Sequence, residues 1–256
     1  MTLSRAVRRT IAPQLRNSTW AYREILETTM SGVDRWLDIG CGHQLLPSWM
    51  PDGLETAKAI AGQCRVLVGV DGDLPALSNH QLLKHRLLTD VECLPFASAS
   101  FDLVTANMVI EHLSTPQRTI AEVARVLKPG GRFIFHTPNR LFWLVRLSSL
   151  MPASFKRRVA GLLEGRPLED VYPTHYRLNT PEEIERCARA HGMRIDDLRL
   201  LNSGVATGRL GALAIPELVM IRVLESDRFA HARSNMIVIL RKADRDEAVT
   251  ERPSPA

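Results

Sequence analysis

The chain has 256 residues, 45% of them hydrophobic and 24% charged, which is enough apolar material for one well-buried core with at most a modest appendage. This composition excludes a largely disordered chain, and 15 glycines and 15 prolines exclude a fibrous repeat. Lysine plus arginine exceed aspartate plus glutamate by 33 to 28, a net charge of +5, but the excess is scattered (Arg5, Arg8, Arg9, Lys156, Arg157, Arg158, Arg241, Arg245) and reads as a solvated surface, so no nucleic acid is expected as a partner.

The first sixteen residues are basic and lack the apolar block of a secretory signal, and no uncharged run reaches the roughly 18–20 residues needed to cross a bilayer, so the expected location is the cytoplasm. A helix is expected around Trp20, Tyr22 and Arg23. Short apolar runs then predict strands at 35–40, 65–70, 87–88, 101–107 and 132–136. Between the last two, Thr115-Pro116 opens a helix with Ile120, Val123, Ala124 and Leu127 on one face, and Pro129-Gly130-Gly131 stops it. Residues 141–178 break the alternation. Two short helices divided by Pro152 are expected there, Leu144, Leu147 and Met151 sharing a face before it and Phe155, Val159 and Leu162 after it, with Lys156 to Arg158 opposite. Thr180-Pro-Glu-Glu183 fits a capping box for a helix that ends at His191-Gly192. Two further strands, 193–201 and 235–240, flank a helix over 210–224, and the tail from 244 is polar. Strands alternating with helices give an α/β fold with a parallel sheet covered on both faces. The expected organisation is one domain over 1–243, with an N-terminal helical cap (1–32), a helical insert (141–178) and a flexible tail (244–256).

Cys41, Cys64, Cys93 and Cys187 form no C-x-x-C pair and are expected to be reduced thiols rather than metal ligands; no metal site is expected. The chemistry concentrates at Leu37-Asp38-Ile39-Gly40-Cys41-Gly42, at the carboxyl end of the first strand, where ligands of open α/β sheets bind. The glycines let backbone approach a ligand without an intervening Cβ. Asp71 ends the second strand, where a carboxylate can accept both hydroxyls of a ribose, and Asp90 ends the third, where it can take a purine amino group. Three acids at three successive strand tips outline a nucleoside-shaped site.

These motifs, with Val68-Gly-Val-Asp71, Leu94-Pro-Phe96, Ser100-Phe-Asp-Leu-Val104, Glu111-His-Leu113 and Leu127-Lys-Pro-Gly-Gly131, resemble the class I S-adenosylmethionine-dependent methyltransferases over residues 33–138. Within them the chain is similar to the branch containing ubiquinone, menaquinone and polysaccharide-locus methyltransferases. The resemblance implies a Rossmann-like seven-stranded sheet of order 3-2-1-4-5-7-6 with the last strand antiparallel. It implies S-adenosylmethionine as cofactor, with Asp38, Gly40, Cys41 and Gly42 along its methionine portion, Asp71 on the ribose, Gly72, Asp90 and Val91 around the adenine, and Asn107 closing the pocket. Gln44 stands where the family turn often has a third glycine.

A neutral hydroxyl acceptor needs a base. The candidates, in order, are His112, with Glu111 beside it, His136 and His175; Tyr172, His175, Tyr176 and Arg177 are candidate acceptor contacts. The acceptor is expected to be a small molecule, free or linked to lipid or saccharide and methylated on oxygen, and apolar helices with a basic face would suit peripheral contact with a membrane. A nicotinamide enzyme would need a third glycine where Leu45 stands. An RNA methyltransferase acting on base amines would resemble its relatives in an Asn-Pro-Pro-Tyr type motif, where this chain has Asn107-Met-Val-Ile110. A cofactor-binding module without catalysis is the non-enzymatic alternative.

Overall fold

The computed structural model describes residues 15–149, 172–204 and 214–244, together with 7, 10–13, 211 and 212. In chain order they form α1 (Ser18–Thr29), β1 (Arg35–Ile39), α2 (Gly53–Ala61), β2 (Val66–Asp71), α3 (Leu74–Ser78), β3 (His85–Leu88), β4 (Phe101–Asn107), a 3-10 turn (Ile110–His112), α4 (Pro116–Val126), β5 (Leu127–Pro138), α5 (Trp143–Ser149), α6 (Pro181–Ala190), β6 (Met193–Leu201), α7 (Ile215–Leu224) and β7 (Asn235–Lys242). The strands make one seven-stranded sheet of order β3-β2-β1-β4-β5-β7-β6. The first five run parallel, and β7 is antiparallel to both β5 and β6. This is the Rossmann-like order expected from the sequence.

Alternation along the central strands splits the core between the two faces. Leu37, Ile39, Val104, Ala106, Phe133 and Phe135 pack against Ile120 and Val123 of α4 and Ile184 and Ala188 of α6. On the other face Trp36, Leu103, Ile134 and Ile237 pack against Tyr22 and Leu26 of α1 and Ala57 and Ile60 of α2. The N-terminal helix is thus part of the main core, with Tyr22 and Leu26 fully buried.

Boundaries follow local chemistry. Pro116 sits in the first turn of α4, where its missing N–H costs nothing. Thr180 Oγ1 accepts the N–H of Glu183, while Glu183 Oε2 reaches the N–H of Asn179, one residue before the cap. β5 begins five residues earlier than the predicted 132–136 run. A register shift opposite Phe101 and Leu103 absorbs Pro129, Gly130 and Gly131, and Gly130 takes a φ of +72°. The seventh helix starts at Ile215 rather than 210. The expected helices around Pro152 and the tail beyond 244 lie outside the described residues, apart from α5 and the 172–178 segment.

The sheet has two edges. β3 is short and exposed throughout; β6, at the other edge, carries Arg194, Asp196, Asp197 and Arg199 and a register irregularity at Ile195/Asp197. Among the described residues no helix is long and apolar enough to cross a membrane.

At the amino end of the strands Asp102 ties three of them together. It accepts the N–H groups of Arg35 (2.9 Å) and Asp34 (3.2 Å) and pairs with Lys128 Nζ (2.6 Å). Burial pushes its carboxyl up, but Lys128 and the two N–H groups outweigh burial and hold it below the ordinary 3.8. A depressed value stabilises the fold above the unfolded-state pKa, and that contribution is lost as pH falls through the folded value. Asp102→Asn is expected to lose about 1 kcal/mol at pH 7 in urea denaturation, with the difference from the parent shrinking as the pH is lowered below 4.

Candidate active site

β1 ends in a turn that only glycine fits. Gly40 has φ +63°, and a Cβ there would lie 2.3 Å from Val109 Cγ2. Gly42 has φ +55°. The turn is fastened to β2: Cys41 N–H donates to the Val70 carbonyl (3.1 Å) and Gly42 N–H to Asp71 Oδ2 (2.8 Å). The other oxygen, Asp71 Oδ1, accepts the N–H of Asp73 (2.9 Å). Asp73 in turn caps α3 by accepting from Ala76 N–H.

A cleft of about 470 Å³ opens over these tips, lined by Gly40, Asp71, Gly72, Leu88, Thr89, Asp90, Val91 and Val109, within the range of small-molecule sites. It brings together Gly40, Asp71, Gly72, Asp90 and Val91 of the sequence candidates. Cys41 turns its side chain away from the cleft, into a cluster with Leu77 and Leu83, where burial pushes its thiol up. Gln44 and Leu45 line a separate cavity behind the turn.

Asp38 lies beneath the turn, 4% exposed. Its Oδ1 accepts from Thr105 Oγ1–H (2.5 Å), which itself accepts from Trp36 Nε1–H (2.7 Å). Burial raises the Asp38 carboxyl to about 7 against the opposing Thr105 bond, and the nearby Asp71 charge adds to the rise. Tyr22 of α1 lies above, its phenol pushed up first by burial and then by Asp38.

His136, expected as a possible base, is built into the fold instead. Asn107 Oδ1 lies 2.9 Å from its Nδ1, while Ser18 Oγ (2.8 Å) and Asn235 Nδ2 (3.1 Å) approach Nε2. An amide oxygen only accepts, so Nδ1 carries the proton and Nε2 accepts. Burial holds the ring neutral, with its pKa lowered to about 4, and Tyr22 stacks on it at 5.8 Å. With both nitrogens committed and 2% exposure, His136 orients Asn107 rather than meeting solvent.

Glu111 and His112 form the turn after β4. Glu111 is buried, and its Oε2 accepts from Thr137 Oγ1–H (2.9 Å). His112 Nδ1 lies 2.8 Å from the Pro173 carbonyl, so Nδ1 carries the proton and Nε2, 3.9 Å from Glu111 Oε1, holds the lone pair. The 172–177 segment forms a strap over this turn. His175 and Tyr176 N–H both donate to the Glu111 carbonyl (2.7 and 3.2 Å), and Arg177 Nη1 donates to the Ser114 carbonyl. Tyr172 meets the His112 ring edge-on at 5.9 Å, and its hydroxyl donates to Asp73 Oδ2. The strap therefore joins the β2 tip to the β4 turn.

Residues 37–135 match the family model for a methyltransferase domain. The ubiquinone biosynthesis O-methyltransferase of Coxiella burnetii is 30% identical over 169 residues, 63% of this chain and 64% of that protein. The malonyl-(acyl-carrier protein) O-methyltransferase of Hahella chejuensis is 35% identical over 102 residues, 40% of this chain and 35% of that protein. The match thus spans less than two thirds of the length of these curated relatives. The S-adenosylmethionine-dependent methyltransferase from Mesorhizobium loti has the same fold, with a TM-score of 0.53 at 16% identity over 88% of this chain and 98% of that one. Residues 37–135 are thus similar to a methyltransferase domain, on the fold of an S-adenosylmethionine-dependent methyltransferase.

Sequence reasoning missed several residues that shape this cleft and its surroundings: Thr105, Asp73, Val109 and Thr137. One signal was available for Thr105. In parallel strands of this order Asp38 and Thr105 are direct neighbours, as the register shows. Asp73 and Tyr172 are 99 residues apart, and no local pattern joins them.

The raised Asp38 carboxyl has a stability consequence. Since the folded state holds the proton more tightly, ionisation of Asp38 destabilises the fold progressively as pH rises from 3.8 to about 7, and fully above that. Asp38→Asn is therefore expected to match the parent near pH 4 and exceed its stability at pH 8, by at most about 4 kcal/mol, in thermal or urea denaturation.

Proposed function

We propose that the chain transfers a methyl group from S-adenosylmethionine to an oxygen of a small-molecule acceptor. One observation carries this reading: the cleft over β1, β2 and β3 combines bare backbone at Gly40 and Gly72, a carboxylate at Asp71, and Leu88, Val91 and Val109 as apolar walls beside Asp90. These residues fit the cofactor. A Cβ built at Gly42 or Gly72 meets nothing within 4 Å, so open space adjoins the backbone there. Asp71 would accept from the ribose hydroxyls, Asp90 and Val91 would border the adenine, and Gly40, Gly42 and Asp38 would face the methionine end, the Asp38 carboxylate suiting its ammonium. Asn107, aimed by His136, would close the pocket from β4.

When bound, the cofactor supplies an electrophilic methyl group on a sulfonium. The chain's own work is orientation and proton handling. His112 Nε2 takes the proton of the acceptor hydroxyl, and Glu111 Oε1 stabilises the resulting imidazolium. The bond from Nδ1 to the Pro173 carbonyl keeps the basic nitrogen at Nε2, and Tyr172 braces the ring. Of the other strap residues, His175 and Tyr176 border the acceptor, while Arg177 holds the strap to Ser114. The choice of an oxygen acceptor rests on similarity to proteins named as O-methyltransferases of ubiquinone biosynthesis and of malonyl-acyl-carrier protein. A small molecule rather than nucleic acid agrees with the dispersed basic residues, and the cytoplasm remains the location we favour.

In calorimetry, S-adenosylhomocysteine is expected to bind the parent, and Asp71→Ala to weaken it at least about tenfold, consistent with loss of charge-assisted hydrogen bonds. Absence of binding to the parent would refute the reading. For the base, His112→Ala is expected to bind within about twofold of the parent yet lower transfer of labelled methyl to an acceptor fraction by about 10²–10⁴. Unchanged transfer would remove His112 from that role.

A further inference from the structure

The strap over the β4 turn is anchored differently on the two sides of Pro173. After the proline, main-chain bonds hold it: the N–H groups of His175 and Tyr176 donate to the Glu111 carbonyl, and Arg177 Nη1 donates to the Ser114 carbonyl. Tyr176 is held there at a φ of +50°, a left-handed conformation that a bulky side chain rarely adopts. Before the proline, Tyr172 reaches across to the tip of β2, where its hydroxyl donates to Asp73 Oδ2. Asp73 keeps Oδ1 on Ala76 N–H and gives its own N–H to Asp71 Oδ1. The tie therefore ends beside Asp71 and Gly72, on the wall of the cofactor cleft. The Tyr172 hydroxyl, followed by Ala76 N–H, holds the Asp73 carboxyl below its ordinary 3.8, so the tie is to a carboxylate.

Between these anchors the chain has little play. The proline ring fixes φ at Pro173 and restricts the backbone of Tyr172 before it, so anchoring Tyr172 constrains where the Pro173 carbonyl points. That carbonyl lies 2.8 Å from His112 Nδ1 and accepts its proton. A histidine in water favours the opposite tautomer, with the proton on Nε2; the bond at Nδ1 is what reverses the preference.

We propose that Asp73 and Tyr172 are positioning residues: their bond aims the Pro173 carbonyl at His112 Nδ1 and so keeps the basic lone pair on Nε2, the nitrogen that takes the acceptor's proton. The proposal rests on the reading of His112 as the base. The cleft wall and the base then form one unit. Asp71 orients Asp73 through its N–H, and Asp73, through Tyr172 and Pro173, decides which nitrogen of His112 is basic. The Tyr172 ring also meets His112 edge-on at 5.9 Å, but the choice of tautomer lies with the hydroxyl, and phenylalanine separates the two contributions.

The test is nitrogen-15 NMR of the full chain at pH 8, above the ordinary range of histidine, with His112 assigned by comparison with His112→Gln. The parent is expected to carry the proton on Nδ1. Tyr172→Phe keeps the ring and loses the hydroxyl. Asp73→Ser keeps a cap for α3 but is too short to reach the strap. Each is expected to make the Nε2–H form the larger population, and the double variant to do no more than either alone, because both cut the same bond. Transfer of labelled methyl to the acceptor fraction, at saturating S-adenosylmethionine, should fall about tenfold in each. The tautomer is read with neither cofactor nor acceptor present, so it fails separately from the base reading, which His112→Ala tests. A proton on Nε2 in the parent, an unchanged tautomer in either variant, or a switched tautomer with undiminished transfer would each overturn the proposal.

Discussion

The site depends on the way one carboxylate is shared between two turns. Asp71 holds Gly42 N–H with one oxygen and Asp73 N–H with the other. The first bond keeps the left-handed glycine turn of β1 against the tip of β2. The second positions Asp73 to cap α3 and to receive the Tyr172 hydroxyl. Each carboxylate oxygen has two acceptor directions, so the backbone bonds leave capacity on both for a ligand's hydroxyls. One side chain therefore both shapes the cleft and faces into it, and its removal would loosen the glycine turn along with any ribose contact.

A second level of organisation lies under α1. Asp38, Thr105, Asn107 and His136 come from three neighbouring strands and share one sheet face, because positions two apart along a strand point the same way. Ser18 and Tyr22 of α1 cover that row. Polar groups buried in such a place are tolerable only when nearly all their partners are supplied, and His136 shows how: three donors and acceptors from α1, β4 and β7 fix its tautomer. The first turn of α1 thereby reaches the candidate site through a histidine that never meets solvent.

The parts legible in the sequence are those that local chemistry determines. Gly40 announces a backbone that a Cβ would block and Gly42 one in the left-handed region, and Asp71 and Asp90 stand at strand ends set by apolar runs. The strand order came from a family resemblance rather than from periodicity. β5 is longer than the 132–136 run predicts, because Pro129-Gly130-Gly131 signals a stop in the sequence whereas the ladder takes these residues in as an irregularity beside β4. The setting of His136 is not legible either: a histidine at a strand tip looks reactive in the sequence, and only the fold shows the helix that buries it. The strap over Glu111 uses main-chain groups, which carry no residue signature at all.

The sheet's borders have a consequence for how copies of this protein behave beside one another. An unpaired strand is an open template for another chain. Here one border is four residues long and carries His85 and Arg86, and the other carries Arg194, Asp196, Asp197 and Arg199 across a bend in its ladder. A strand arriving at β3 would have to desolvate the Arg86 guanidinium for very few main-chain bonds, and Leu88, the last residue of that border, also lines the cleft. The features that discourage end-to-end sheet growth and fibre formation thus also keep neighbouring molecules away from the cleft mouth.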